Sequence, residues 1–325
     1  MKTLRISVAL LACVMLVATW AGAQEKTNVS NGDLAMRGLK GSDFPRWKKL
    51  APDVYAYEGT HAPDADGHVI NTVSLIVITS DGVLVADGQG DMAQGQAMID
   101  NIRKLTPQPV KYMVIASDHG DHVGGNAAFK AAYPNIVIMA SPASQKVLAR
   151  NANPPSETVA DKRVIKMGRT EIQILNLGRA HTGGDLMVYL PQTKVLFMSE
   201  AYLRGVFPAM RSAYPSEWVE TIRKAQALDV SMYVPGHGFI DAPATMKKDL
   251  EESRKALVAV IAEAKRLHAA NVPCVVTPAA AGAKPTLCEA AQKANWGPYA
   301  AWALSSSQGQ AAIVKVYQEI EGKLP

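Results

Sequence analysis

Residues 116–126 read Ala-Ser-Asp-His-Gly-Asp-His-Val-Gly-Gly-Asn, and this run decides both the fold and the site. Asp118, His119, Asp121 and His122 fall within five consecutive positions. Residues 110–116 before them are short and mostly apolar, the pattern of a buried strand, so the four polar groups sit at a strand's C-terminal end. Two further histidines have the same setting: Ala180-His181-Thr182-Gly183-Gly184-Asp185 and Gly236-His237-Gly238 each follow a predicted strand. Glycine-rich turns at strand ends let a rigid scaffold aim side chains from distant parts of the chain at one point. Of the seven histidines, His61, His68 and His268 lack this setting and read as loop or surface residues.

Outward from this run, strands alternate with helices. Strands are expected at 54–57, 72–79 and 82–86, the last two joined by the hairpin turn Ser80-Asp81-Gly82. A helix over 92–105 is stopped by Pro107 and Pro109. Downstream come a helix at 127–133, a strand at 136–140 and a helix at 142–150. Strands at 163–167, 171–177, 187–190 and 195–198 follow, then a helix at 216–228 and a strand at 232–234. Two sheets between helix layers suit this pattern. Residues 24–50 read as a loose arm. From about Ala244 the texture changes to amphipathic helices over 246–268 and 305–323. The expected domains are therefore 24–245 and a helical C-terminal extension, 246–325.

Four histidines and two nearby aspartates at three strand ends suit a metal. Zinc takes a tetrahedral set of imidazole nitrogens and carboxylate oxygens, with one position open if it is to do chemistry. His119, Asp121 and His122 on one tight turn do not easily serve a single ion. They suit two neighbouring ions, with remote histidines completing each set.

At these residues the chain resembles the metallo-β-lactamase superfamily, whose motif is His-x-His-x-Asp-His followed by a distant histidine, a bridging acid and a last histidine. The matching positions are Ser117, His119, Asp121 and His122, then His181, Glu200 and His237, over a resemblance that runs from about 54 to 241. Asp87 matches the family's early aspartate, and Asp87 and Asp118 stand behind the ligands. The resemblance implies an α+β fold, a four-layer αβ/βα sandwich of two mixed sheets with a metal site at one edge, here followed by the C-terminal helices. It also implies zinc, held tightly by Asp121, His122 and His237. A second ion at His119 and His181 is expected to be weak, absent or bound only with substrate present, because Ser117 replaces the first histidine and its short neutral hydroxyl makes a weakened ligand position. Glu200, one methylene longer than the usual aspartate, is expected to reach one ion or both.

The chemistry implied is hydrolysis by metal-activated water, either with Asp121 orienting the water or taking its proton, or with a water held between His119, His181 and Ser117. The expected substrate is a small molecule, a β-lactam or related cyclic amide or ester. Other ester classes (lactone, thioester, sulfate ester, phosphodiester) and a non-catalytic metal-binding module of the same fold remain as alternatives. An iron oxygenase of this fold would use the histidine group that Ser117 interrupts. Two loops are expected to shape the pocket: residues 59–68, and residues 202–218, whose Tyr202 and Arg204 are candidate substrate contacts beside Arg211.

The chain ends speak to location. Lys2 and Arg5, the apolar run 6–19 and Ala21-Gly22-Ala23 make a signal peptide over 1–23, so a periplasmic or secreted protein is expected. The run is too short for a membrane span, and no membrane insertion is expected. A lipoprotein signal at Leu11-Ala12-Cys13 is disfavoured by the apolar residues past Cys13. Loss of Lys2 and Arg5 takes the formal charge from +5 to +3, with no dense basic stripe, which argues against a nucleic-acid partner. Cys274 and Cys288 remain, an even pair that reads as a disulfide in an oxidising compartment.

Overall fold

Period-two alternation in the central strands sorts side chains onto two faces, and those faces define the layers. The computed structural model describes residues 34–60, 67–151, 153–276 and 287–325. The expected signal peptide, His61, most of the 59–68 loop and the middle of the cysteine loop lie outside the described residues. The first sheet contains β1 (Arg46–Ala51), β2 (Val54–Thr60), β3 (Asn71–Thr79), β4 (Gly82–Ala86), β5 (Val110–Val114), β6 (Val137–Ala140) and β7 (Glu157–Thr158), paired in that order. Pairing is antiparallel from β1 to β4 and parallel from β4 to β7. The second sheet contains β8 (Lys162–Met167), β9 (Thr170–Leu175), β10 (Met187–Leu190), β11 (Val195–Leu203) and β12 (Met232–His237), paired in that order, with β11 and β12 parallel. Both sheets are thus mixed. They touch through one antiparallel pair, His237 with Thr72.

On β3, Val73, Leu75 and Val77 point into the core shared with Ile172, Ile174 and Leu196 of the second sheet. Ile76, with Val83 and Val85 of β4, points the other way. There it meets Met98, Ile99 and Ile102 of α1 (Met92–Leu105) and Phe129. Two short helices follow β5, α2 (Gly120–Val123) and α3 (Asn126–Ala132), and α4 (Pro142–Leu148) follows β6. On the second sheet lie α5 (Pro215–Gln226) and α6 (Pro243–Ala269), with α8 (Ser305–Ile320) packed on α6 and α7 (Glu289–Lys293) on α8. Leu250, Leu257 and Val260 of α6 and Ile313 and Val316 of α8 join the same core as the second sheet. Cys274 and Cys288 form a disulfide.

Besides the short elements α2, β7 and α7, which were not expected, two strands differ from expectation. Residues 46–51 form an edge strand rather than the end of a loose arm. Their charges hid the strand, but Trp47 packs edge-on against Tyr55 and Tyr57 and Lys49 lies over the Tyr55 ring. Lysines on an edge strand also discourage pairing with another chain. Strand β11 runs on past Met198 to Leu203 through a register shift at Ser199, whose φ is 47°. That irregularity matters for the site.

Candidate metal centre

The site gathers where the two sheets meet. Behind β5, the chain turns at Ser117 and His119 and enters α2, which carries Asp121 in its first turn. Gly124 and Gly125 let this turn lie against the Asp87 turn. A Cβ at Gly124 would stand 2.0 Å from the Gly90 carbonyl oxygen, and one at Gly125 2.0 Å from that of Gly88. On β11, the bulge at Ser199 re-aims the following residue, a common use of bulges beside active sites, and the buried Glu200 side chain is brought among the histidines. Gly236 permits the neighbouring strand to pass: a Cβ there would lie 2.5 Å from the Ser199 carbonyl carbon. His181 arrives from the turn after β9, and His237 ends β12.

Among the described residues, two groups of side chains converge with ligand atoms within 4.8 Å of one another: Asp121, His122, Glu200 and His237, and His119, His181 and Glu200. In the first, His122 Nε2 and His237 Nε2 are 3.3 Å apart, and His237 Nε2 is 3.2 Å from both Asp121 Oδ2 and Glu200 Oε1. In the second, His119 Nδ1 is 3.1 Å from His181 Nε2 and 2.9 Å from Glu200 Oε2, and His181 Nε2 is 3.1 Å from Glu200 Oε1. Two donors sharing a tetrahedral zinc at 2.0–2.1 Å stand about 3.3 Å apart, so these nitrogen and oxygen sets fit a divalent ion. The Glu200 carboxylate belongs to both groups. Ser117 is buried, and its hydroxyl donates to Glu200 Oε2 at 2.5 Å.

The imidazoles of the first group are braced from behind. His122 Nδ1 donates to Asp87 Oδ2 at 2.8 Å, and His237 Nδ1 donates to the Asn71 carbonyl at 2.7 Å. Each bond fixes the tautomer that leaves Nε2 aimed inward. Asp87 is buried at φ 63° and also accepts from Ala116 N at 2.8 Å and the Ser199 hydroxyl at 2.5 Å. Asp118 is half-buried and acts on His119 through its charge.

Charge in the cluster favours a cation. Burial opposes protonation of His122, but the carboxylates of Asp87, Glu200 and Asp121 outweigh it and lift its pKa to about 9. Burial also opposes charge on His237, and hydrogen bonds to Asp121 and Glu200 raise it well above the ordinary imidazole range. Burial works against ionised Asp121 and Glu200 as well, yet the surrounding imidazoles hold both carboxyls well below the usual range. Burial keeps His181 on the neutral side.

A cavity of about 340 Å³ opens over both groups. His119, Asp121, His181, Glu200 and His237 form its floor, Arg211 and Gln308 its polar rim, and Ile70, Leu203, Val206, Ala209 and Leu304 its apolar walls. Two expected contacts are absent from it. Arg204 is 1% exposed, paired with Asp241 and Asp249 and donating to the Phe239 carbonyl. Tyr202 is buried and donates to the Met246 carbonyl at 3.0 Å. Tyr202, near the end of β11, and Arg204, just past it, face α6 and the segment before it rather than the cavity. Arg211, on the same loop, is the arginine at the rim. Leu304 and Gln308 were not foreseen; an apolar residue and an amide 67 or more positions beyond His237 carry no local mark of a pocket. His268 lies elsewhere, its ring against Tyr317 and its Nε2 3.5 Å from Glu321.

A family model described as the metallo-beta-lactamase superfamily matches residues 67–237. Type 2 metallo-beta-lactamase from Elizabethkingia meningoseptica is 25% identical over 214 residues, 63% of this chain and 84% of that protein. The alpha subunit of 2,4-dinitroanisole O-demethylase from Nocardioides sp. (strain JS1661) is 26% identical over 136 residues, 40% of this chain and 41% of that protein. Among solved structures, a metallo-beta-lactamase from Pontibacter korlensis matches with a TM-score of 0.57 at 22% identity, covering 65% of this chain and 98% of that one. The matched residues span more than half of the chain and hold Asp87, Ser117 and all six candidate ligands. This chain therefore belongs to the metallo-β-lactamase superfamily and is a metal-dependent hydrolase of it.

Proposed function

We propose that the protein is a zinc hydrolase acting on β-lactams or related cyclic amides and esters. The observation that carries this reading is the convergence of Asp121, His122, Glu200 and His237 beneath an open cavity. These four would hold one zinc ion, and His119, His181 and Glu200 a second. Bound zinc supplies an acidified water, with a pKa near 7, and a Lewis acid for the scissile carbonyl.

The chain's own groups do the rest. Asp121, with its side chain 35% exposed on the cavity floor, is the carboxylate placed to orient a water and accept its proton. Glu200 holds the two groups in register. The Ser117 hydroxyl, in turn, holds the Glu200 carboxylate where the longer side chain reaches His119. Arg211 is exposed at the rim, with no ion pair among the described residues, and is the group to meet an anionic part of the substrate. The apolar walls limit water around the reacting carbonyl.

Export is part of the same reading. The Cys274–Cys288 disulfide supports an oxidising compartment. Among the described residues, no helix is long and apolar enough to cross a membrane.

The test is metal content measured beside turnover of a chromogenic cephalosporin, a lactone, a thioester, a sulfate ester and a phosphodiester. Zinc with cephalosporin hydrolysis is expected. Turnover of another ester alone would move the substrate, and bound metal with no turnover on any of the five would make the protein a binding module.

A further inference from the structure

We propose that the start of α8 is a specificity wall: with β11 and the loop after it, it forms an apolar subsite that selects substrates bearing an alkyl or aryl group beside the reacting carbonyl. The proposal rests on the metallohydrolase reading above and adds the substrate's shape to it. Leu304 and Gln308 line the cavity that holds the candidate ligands. Both lie beyond residues 67–237, so this wall stands outside the segment matched by the family model. Facing it are Leu203, Val206 and Ala209.

The wall is anchored. Ala303 bridges to Val206, and its carbonyl accepts from Phe207 N at 2.8 Å. Phe207 packs edge-on against Trp296 with ring centroids 5.2 Å apart. At the other end of α8, Glu319 accepts from Ser216 N at 2.9 Å and from the Ser216 hydroxyl at 2.7 Å. A side chain on so fixed an element keeps its place when a ligand arrives.

Leu304 is also an unusual choice. Its φ is +67°, a region where glycine or asparagine costs less than a leucine. Backbone strain of this kind concentrates at ligand clamps. The leucine is only half-buried, and its apolar surface faces the cavity, where a ligand group would cover it. One turn on, Gln308 has no side-chain hydrogen bond among the described residues, so its amide is available to a polar atom flanking the apolar group.

Cobalt(II)-loaded full-chain protein, titrated with n-alkanethiols from ethanethiol to hexanethiol, reads the wall without any turnover. The thiolate-to-cobalt absorption band reports binding. Affinity should rise roughly fourfold per added methylene while the chain covers the wall. Leu304→Asn, which suits the left-handed backbone and removes the apolar surface, should flatten the series. Gln308→Leu, which enlarges that surface, should steepen it. Equal affinities along the series in the native protein, or one slope shared by the native protein and both variants, would overturn the wall while leaving the metal centre standing. No thiolate band with any thiol would overturn the metal centre itself, and the wall with it.

Discussion

The two donor groups share Glu200 but differ in what stands behind them. In the Asp121, His122 and His237 group, both imidazoles donate their outer nitrogen to a fixed acceptor, Asp87 or the Asn71 carbonyl. Among the described residues, in the His119 and His181 group, His181 Nδ1 is buried with no partner and His119 Nε2 meets only the Ser212 hydroxyl, at 3.5 Å. Nearby, Asp185 keeps one oxygen bonded to Thr182 N and the other buried without a partner among the described residues. Acceptors behind a metal-ligating histidine fix its tautomer and ring orientation and raise its basicity. One half of the cluster is therefore stiff and the other loose. The same residue types, brought equally close, do not make equal sites.

The harshest way to break this comparison is Asp121→Ala. It should cost the stiff group several kcal/mol of zinc affinity and bring hydrolysis to background. Zinc retained after dialysis against a chelator, with activity intact, would place the chemistry elsewhere. Next is Asp87→Asn, which keeps size but spoils the acceptor for His122. Zinc affinity should fall about 10–100-fold, while Ser212→Ala, behind the loose group, should change it by less than about twofold. Competition with a fluorescent chelator measures both, and equal losses would erase the distinction.

Ser117→His sharpens the comparison from the loose side. It supplies the missing imidazole and should move stoichiometry towards two zinc per chain. Because Ser117 is fully buried against Glu200, the larger ring should also cost about 1–3 kcal/mol of stability in denaturant unfolding. Unchanged stoichiometry would show that Ser117 does not limit the second position.

The remaining test concerns pH. Burial lifts the Asp185 pKa to about 8. A carboxyl raised in the folded state contributes stability that is fully present below its unfolded value, near 4, and is lost as pH rises through 8. Asp185→Asn does not titrate, so its stability advantage should grow from pH 4 to pH 8 and then level off. A constant difference in melting temperature across that range would mean that Asp185 does not titrate in this way.

Much of this was legible in the chain. Helix α1 begins and ends where its pattern and Pro107 predict, His237 ends β12, and His119, Asp121 and His122 lie on the turn and short helix after β5, whereas Glu200 sits inside β11 rather than at its end. Local periodicity and turn chemistry suffice for such features. Edge strand β1 was missed because its lysines mask a real aromatic contact with β2. Arg204 was misplaced because the sequence does not say which helix covers β11, and Asp241 and Asp249 hold it from two later segments.

By itself, the sequence determined the kinds of candidate ligand, their order and the turns after strands that carry the histidines, since a metal's need for imidazole and carboxylate is written in residue types. Only the tertiary structure decided that Glu200 serves both groups, that Ser117 holds it there, that one group is braced and the other is not, and that α8 walls the cavity. Those outcomes depend on distances of a few ångströms between residues tens to hundreds of positions apart, and such distances are set by how the sheets and helices pack rather than by any local pattern.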